Sequence, residues 1–100
     1  MSALTPSDWF DAEGWLKREV TREDAESAAH MGRCDEDVEA LFDRLDFRSP
    51  IPQSRRYLKS LGVDGVDEMS DHDVQVWILW EICWHVVDDE PWNDFNIQEV

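Results

Sequence analysis

Carboxylates without neighbouring cations mark the second half of this chain. Residues 60–100 hold eleven Asp and Glu side chains and no Lys or Arg, while the whole chain of 100 residues has 24 acids and 9 bases. Carboxylates spaced along a rigid helix can imitate the row of phosphates on a DNA duplex, which has one phosphate per about 1.7 Å of its axis. Such a surface binds a groove lined by Lys and Arg, with fast electrostatic steering and steep salt dependence. The pattern therefore predicts a basic protein partner, and it predicts that the chain itself repels DNA and RNA.

The residues predicted to contact this partner fall into three acidic segments, with a tryptophan after the third. They are Asp35, Glu36, Asp37, Glu39 and Asp43, then Asp64, Asp67, Glu68, Asp71 and Asp73, and finally Asp88, Asp89, Glu90 and Trp92. Trp92 is included because Trp and Arg are enriched in interface hot spots and attract each other through cation–π contacts. These segments predict a negative face with one aromatic anchor.

The other tryptophans divide into two groups by spacing. Trp77, Trp80 and Trp84 are three and four residues apart, which places them on one stripe of a helix, and we expect them in the core. Trp9 and Trp15 are six apart and cannot share a helix face closely, so we expect one of them to be exposed.

A metal site has candidate ligands but lacks the required spacing. Asp71-His72-Asp73 supplies carboxylates two residues apart, as in a calcium-binding loop, but Val76 and Ile82 stand where that loop needs Gly and Glu. The chain has no His-x3-His or Cys-x2-Cys pair for zinc. We therefore predict no metal site and no cofactor.

Catalytic motifs are also missing from the sequence. There is no Gly-rich phosphate loop and no Gly-x-Ser-x-Gly segment. Cys34 follows Arg33, which would lower the pKa of a thiol, but the acids at 35–37 oppose that effect. The sequence predicts a binding protein and not an enzyme.

The first third of the chain predicts two helices. Thr5, Pro6 and Asp8 form a helix start, and Trp9, Leu16 and Val20 would then share the buried face of one long helix. A second capping residue at Thr21 indicates that the first helix breaks there and that a new helix begins. Ala25, Ala28 and Ala29 form a small-residue face behind that cap, and Gly32 is the expected C-cap.

The middle third predicts two further helices around a connector. Over residues 35–47, Val38, Leu41, Phe42 and Leu45 recur at helical spacing. Residues 49–52 contain two prolines and predict a rigid connector, and 62–65 predict a turn. For the short helix between them we expect Tyr57, Leu58 and Leu61 to point inward and Arg55, Arg56 and Lys59 outward.

The last third contains the helix around which the others should pack. Ser70 is a good N-cap, and residues 74–87 are apolar on nearly all sides, which is typical of a central buried helix. The fold class predicted is all-α, a compact bundle of four to five helices around this helix, at about 71–87, in a single domain over residues 1–100.

Composition restricts the setting in which the protein works. With 42% hydrophobic and 11% aromatic residues the chain has enough apolar material to fold despite its net charge of −15. Two cysteines without a spacing motif predict reduced thiols in the cytoplasm, with Cys83 inside the apolar helix. The apolar run is too short and too polar to cross a bilayer, and the N-terminus has no features of a secretion signal.

The whole chain resembles, in type, the small acidic proteins that phages use against bacterial defence: anti-CRISPR proteins and DNA-mimicking anti-restriction proteins. The resemblance rests on the acidic segments 35–39, 64–73 and 88–90 and on the helical pattern. It implies a non-enzymatic inhibitor that covers the nucleic-acid-binding surface of a CRISPR effector complex or restriction enzyme. The alternative is an adaptor or immunity protein that binds a basic partner through an acidic and aromatic surface.

Overall fold

A computed structural model describes residues 4–30 and 36–98 of the chain. These residues contain five α-helices: α1 (Pro6–Trp9), α2 (Arg22–Ala29), α3 (Glu36–Leu45), α4 (Ile51–Ser60) and α5 (Asp71–Val87). Single 3-10 turns lie at Val66–Glu68 and Trp92–Asp94. The described part of the chain has no strands, only two isolated bridges, so the predicted all-α fold is confirmed.

Helix α5 lies at the centre, as its sequence predicts. It begins at the Ser70 cap, whose hydroxyl accepts a hydrogen bond from the Asp73 amide at 3.1 Å. Val74, Ile78, Leu79 and Ile82 on α5 are completely buried, and α2, α3 and α4 each pack against the helix. Burial on several sides explains why its sequence lacks a polar stripe.

Helix α2 packs closely against α5 through small side chains. Ala25, Ala28 and Ala29 are buried, as predicted, and the Thr21 hydroxyl accepts a hydrogen bond from the Asp24 amide at 3.3 Å. The helix ends at Ala29, and the expected C-cap at Gly32 lies outside the described residues, as does Cys34.

The long first helix predicted from Thr5 onward is wrong beyond Trp9. The start is confirmed, because the Asp8 carboxylate accepts a hydrogen bond from the Thr5 amide at 2.8 Å, which lowers the pKa of Asp8. The Asp11 carboxylate then accepts hydrogen bonds from the amides of Glu13 and Trp15, which closes a turn instead of a helix.

The C-terminal residues explain why this turn is stable. The Leu16 amide donates to the Phe95 carbonyl at 3.0 Å, and the Ile97 amide donates to the Gly14 carbonyl at 3.1 Å. Gly14 has φ +88°, and a Cβ there would lie 2.7 Å from Gln98 Cγ, so only glycine fits. Pairing with the distant C-terminal segment thus replaces the local helix.

Helix α4 differs from its prediction at both ends. It begins at Ile51 with Pro52 in its first turn, so the predicted connector is shorter than residues 49–52. Leu58 is buried as expected, but Leu61 is 48% exposed. Arg55 is only partly exposed, because its guanidinium donates to the carbonyls of Val66 and Met69.

Cys83 is predicted to be chemically inert in the folded protein. Its side chain is completely buried, and burial raises the pKa of the thiol to about 12. The thiolate is the reactive form, so a Cys34→Ser variant should react with a thiol reagent at pH 8 only after unfolding in urea. Reaction of that variant at the rate of a free thiol without urea would contradict the buried position.

Candidate acidic interaction surface

Helix α3 presents a row of carboxylates opposite its buried face. Val38, Leu41 and Phe42 are buried and fix the orientation of the helix. Glu36, Glu39 and Asp43 are three and four residues apart, so they lie on one outer stripe. At a rise of 1.5 Å per residue this stripe carries three charges over about 10.5 Å. Neighbouring charges of the stripe are thus about 5 Å apart along the helix axis, which is sparser than the phosphates of one DNA strand, at about 3.4 Å.

A histidine joins this row to the first turn of α5. His72 Nε2 lies 2.8 Å from Glu39 Oε2, and the His72 ring packs edge-on against Phe42 with 4.9 Å between centroids. Asp71 and Asp73 flank His72 in the same turn. We call the surface formed by Glu36, Glu39, Asp43, Asp71 and Asp73 the α3–α5 acidic face.

The loop acids of the second segment are partly paired with bases from α4. Lys59 Nζ lies 2.8 Å from Asp67 Oδ1, and the Arg55 guanidinium lies 2.9 Å from Asp71 Oδ1. Asp64 and Glu68 are exposed and have no ion-pair partner among the residues that the structure describes. In the folded protein, bases from the first half of the chain lie beside acids of the second half. Positive and negative side chains are therefore less separated in the structure than they are in the sequence.

The third acidic segment lies at the opposite end of α5. The helix has 17 residues, so its two ends are about 25 Å apart. Arg22 of α2 forms an ion pair with Asp89, and His85 Nδ1 lies 3.3 Å from Glu90 Oε2. The carboxylates of Asp89 and Glu90 lie near the C-terminal, negative end of the α5 dipole, which repels them. The contacts with Arg22 and His85 reduce this repulsion.

The structure therefore separates the predicted partner-binding residues into different surfaces. The contact of His72 with Glu39 places the first turn of α5, which carries Asp71 and Asp73, beside α3, whereas Asp88, Asp89, Glu90 and Trp92 lie at the other end of α5. Asp37 faces a different groove, between α2 and α3, where Arg44 pairs with Asp24 at 2.7 Å. Asp35 lies outside the described residues. The predicted partner-binding residues that the structure describes therefore lie on more than one surface of the molecule.

Three tryptophans of α5 are less buried than predicted. Trp77, Trp80 and Trp84 are half-buried and pack against the core from the outer side of the helix, with Trp80 and Trp84 edge-to-face at 6.2 Å. Glu81 lies on the same side; burial raises the pKa of its carboxyl, and a hydrogen bond with Trp77 opposes the shift. The core prediction is wrong here because α5 has an outer side that no helix among the described residues covers completely.

The remaining two tryptophans of the first half follow their prediction. Trp9 is 1% exposed and Trp15 is 40% exposed. The residues that sequence reasoning missed are Arg22, Arg55 and Lys59, which pair with predicted partner-binding acids. The spacing of Arg55 and Lys59, four residues apart, could have indicated these ion pairs. Residues at this spacing lie on the same face of a helix, so both side chains can reach the same neighbouring segment.

Metal-binding groups and membrane-spanning helices are both absent from the described residues. Within residues 4–30 and 36–98, no three His, Cys, Asp or Glu side chains are grouped so as to hold a metal ion. None of the described helices combines the length and the apolar character needed to span a membrane. Comparison of the chain with protein-family models, with curated proteins and with solved structures gave no match.

Proposed function

We propose that this protein is a non-enzymatic inhibitor whose α3–α5 acidic face occupies a basic, nucleic-acid-binding surface of another protein. The observation that carries the proposal is the row Glu36, Glu39 and Asp43 on a helix whose other side is anchored in the core, extended by Asp73 of α5. Glu36, Asp43 and Asp73 have no ion-pair partner in the described part of the chain, so their charge is available to a partner.

The proposed mechanism is occlusion without chemistry. A rigid row of carboxylates needs no reorganisation when it meets a basic groove, so it binds there in place of phosphates and excludes DNA. In the cytoplasm of a bacterial cell the fitting targets are a CRISPR effector complex or a restriction enzyme, as for the phage inhibitors that the sequence resembles. The net charge of −15 would speed the encounter with such a target.

The test is competition with DNA. Immobilised protein is exposed to bacterial lysate, and bound proteins are eluted first with duplex DNA and then with a salt gradient. We expect a nucleic-acid-binding protein that duplex DNA displaces, and we expect the affinity of the purified pair to fall steeply between about 50 and about 200 mM salt, because screening weakens charge contacts. The released target should regain DNA binding.

A second candidate, an adaptor or immunity protein, is favoured by the surface at the other end of α5. There Trp92 and three carboxylates surround a groove. A partner that ignores duplex DNA and resists salt, and whose binding depends on Trp92, would support this candidate and overturn occlusion of a DNA site.

A further inference from the structure

An open groove lies between the start of α2 and the segment that follows α5. Its volume is about 330 Å³. Val20 is buried and Val86 and Trp92 are half-buried, so the deeper part of the lining is apolar. The exposed part is acidic and is formed by Glu19, Asp89 and Glu90.

The acidic rim of this groove already binds one guanidinium group. Arg22, at the edge, donates to Asp89 and also to Glu26, at 3.0 Å. Glu90 contacts His85, and Glu19 has no ion-pair partner among the described residues. The lining thus contains three carboxylates and one guanidinium group, so its net charge is negative.

From this geometry we infer that the groove is a binding site for an arginine side chain of a basic protein partner. The inference rests on the proposed function in requiring a basic partner, but it assigns a specific contact at the opposite end of α5 from the acidic face. In the proposed complex the arginine stem lies along Val86, and its guanidinium stacks on Trp92 and donates hydrogen bonds to the carboxylates of Glu19 and Glu90.

Arginine fits this lining better than lysine or a phosphate group. Its planar guanidinium can stack on an indole and donate two parallel hydrogen bonds to carboxylates, whereas the ammonium group of lysine is a compact and strongly hydrated charge. A nucleic acid is excluded, because its phosphates would meet a rim with a net negative charge. The volume is at the lower end of the range for small-molecule sites, which suits a single long side chain.

The test uses the 100-residue chain with octa-arginine and octa-lysine peptides in calorimetric titrations at about 100 mM salt. The variant Glu19→Gln/Glu90→Gln is compared with Glu13→Gln/Glu23→Gln, which removes the same charge from two exposed acids outside the groove lining. We expect the first pair to raise the Kd of octa-arginine about fivefold or more and the control pair less than twofold. Equal losses in the two variants would show diffuse charge attraction and overturn the site.

Trp92 provides a second, independent readout. The indole N–H resonance of Trp92, assigned with Trp92→Phe, should shift on addition of octa-arginine and much less with octa-lysine. Trp92→Leu keeps apolar packing, so a preserved fold by circular dichroism combined with loss of the arginine preference supports stacking. An unmoved Trp92 resonance at saturating octa-arginine would overturn the inference.

These outcomes separate the groove from the proposed function. Arginine binding that depends on Glu19 and Trp92, in a protein whose target is not displaced by duplex DNA, would retain the groove and reject occlusion. Displacement by DNA, with no effect of the groove variants on octa-arginine or on the target, would retain occlusion and reject the groove.

Discussion

Replacing Trp9 by alanine is expected to lower the free energy of unfolding by about 3–5 kcal/mol. The Trp9 ring is 1% exposed and packs against Phe47 with 4.9 Å between centroids. The change removes a large buried side chain and leaves a cavity. Because a domain of this size is stable by about 5–15 kcal/mol, the variant should melt roughly 12 °C or more below the parent.

The measurement should be urea unfolding followed by circular dichroism. Urea is preferred to guanidinium chloride, because an ionic denaturant would screen the repulsion within a chain of net charge −15 and confuse the comparison. Trp15→Ala is the matched control: Trp15 is 40% exposed, so its removal should cost less than about 1 kcal/mol. Similar losses in the two variants would contradict the different burial of these rings.

A hydrogen bond explains why a tryptophan stands at position 9. Its Nε1 donates to the Asp46 carbonyl at 3.0 Å and so joins α1 to the end of α3. Asp46 has φ +50° and also accepts, through its carboxylate, a hydrogen bond from the Leu4 amide. Trp9 thus fixes the segment that precedes the turn at Asp11 to the helix that carries the acidic row.

The parts of the fold that the sequence predicted are those determined locally. The caps at Ser70 and Thr21 and the periodic Val38, Leu41 and Phe42 depend on residues within one or two turns, and helices α2, α3 and α5 form where these signals stand. Local signals are sufficient there, because capping and amphipathic burial act over short sequence distances.

The errors have a common cause in contacts between distant residues. Residues 10–16 do not continue the first helix, because Phe95 and Ile97 pair with Leu16 and Gly14. Arg55 points toward carbonyls of the loop before α5, 11 and 14 residues away, instead of toward solvent. The spacing of hydrophobic residues within one segment gives no information about which distant segment it will contact.

The candidate site was predictable in composition but not in arrangement. The sequence predicted the helix that presents Glu36, Glu39 and Asp43, because the buried positions of α3 recur at helical spacing; that these acids bind a partner stays a prediction. The separation of the α3–α5 acidic face from the third acidic segment follows from the length of α5, because Asp73 lies in its first turn and Asp88 is its C-cap. The pairing of Arg22 with Asp89 requires α2 to lie against α5, which depends on the alanine face rather than on charge.

The second large effect is expected from charge reversal on α3. In Glu36→Lys/Asp43→Lys the row Glu36, Glu39, Asp43 would carry two positive charges beside one negative. Each reversed residue changes an attraction to repulsion at a basic partner surface, so we expect a loss of about 100-fold or more in affinity for the DNA-displaceable target at 50 mM salt. The effect should shrink as salt rises, since screening weakens both interactions.

The control for this variant has the same change in net charge on another surface. Glu23→Lys/Glu13→Lys reverses one glutamate in the first turn of α2, which matches the position of Glu36 in α3, and one in an exposed turn. Both double variants raise the net charge by four, so both slow the electrostatically steered encounter to a similar extent. A loss of affinity confined to the α3 variant and expressed in the dissociation rate would identify α3 as the contact. If the control loses as much affinity as the α3 variant, the partner responds to total charge, and the acidic row is not its binding site.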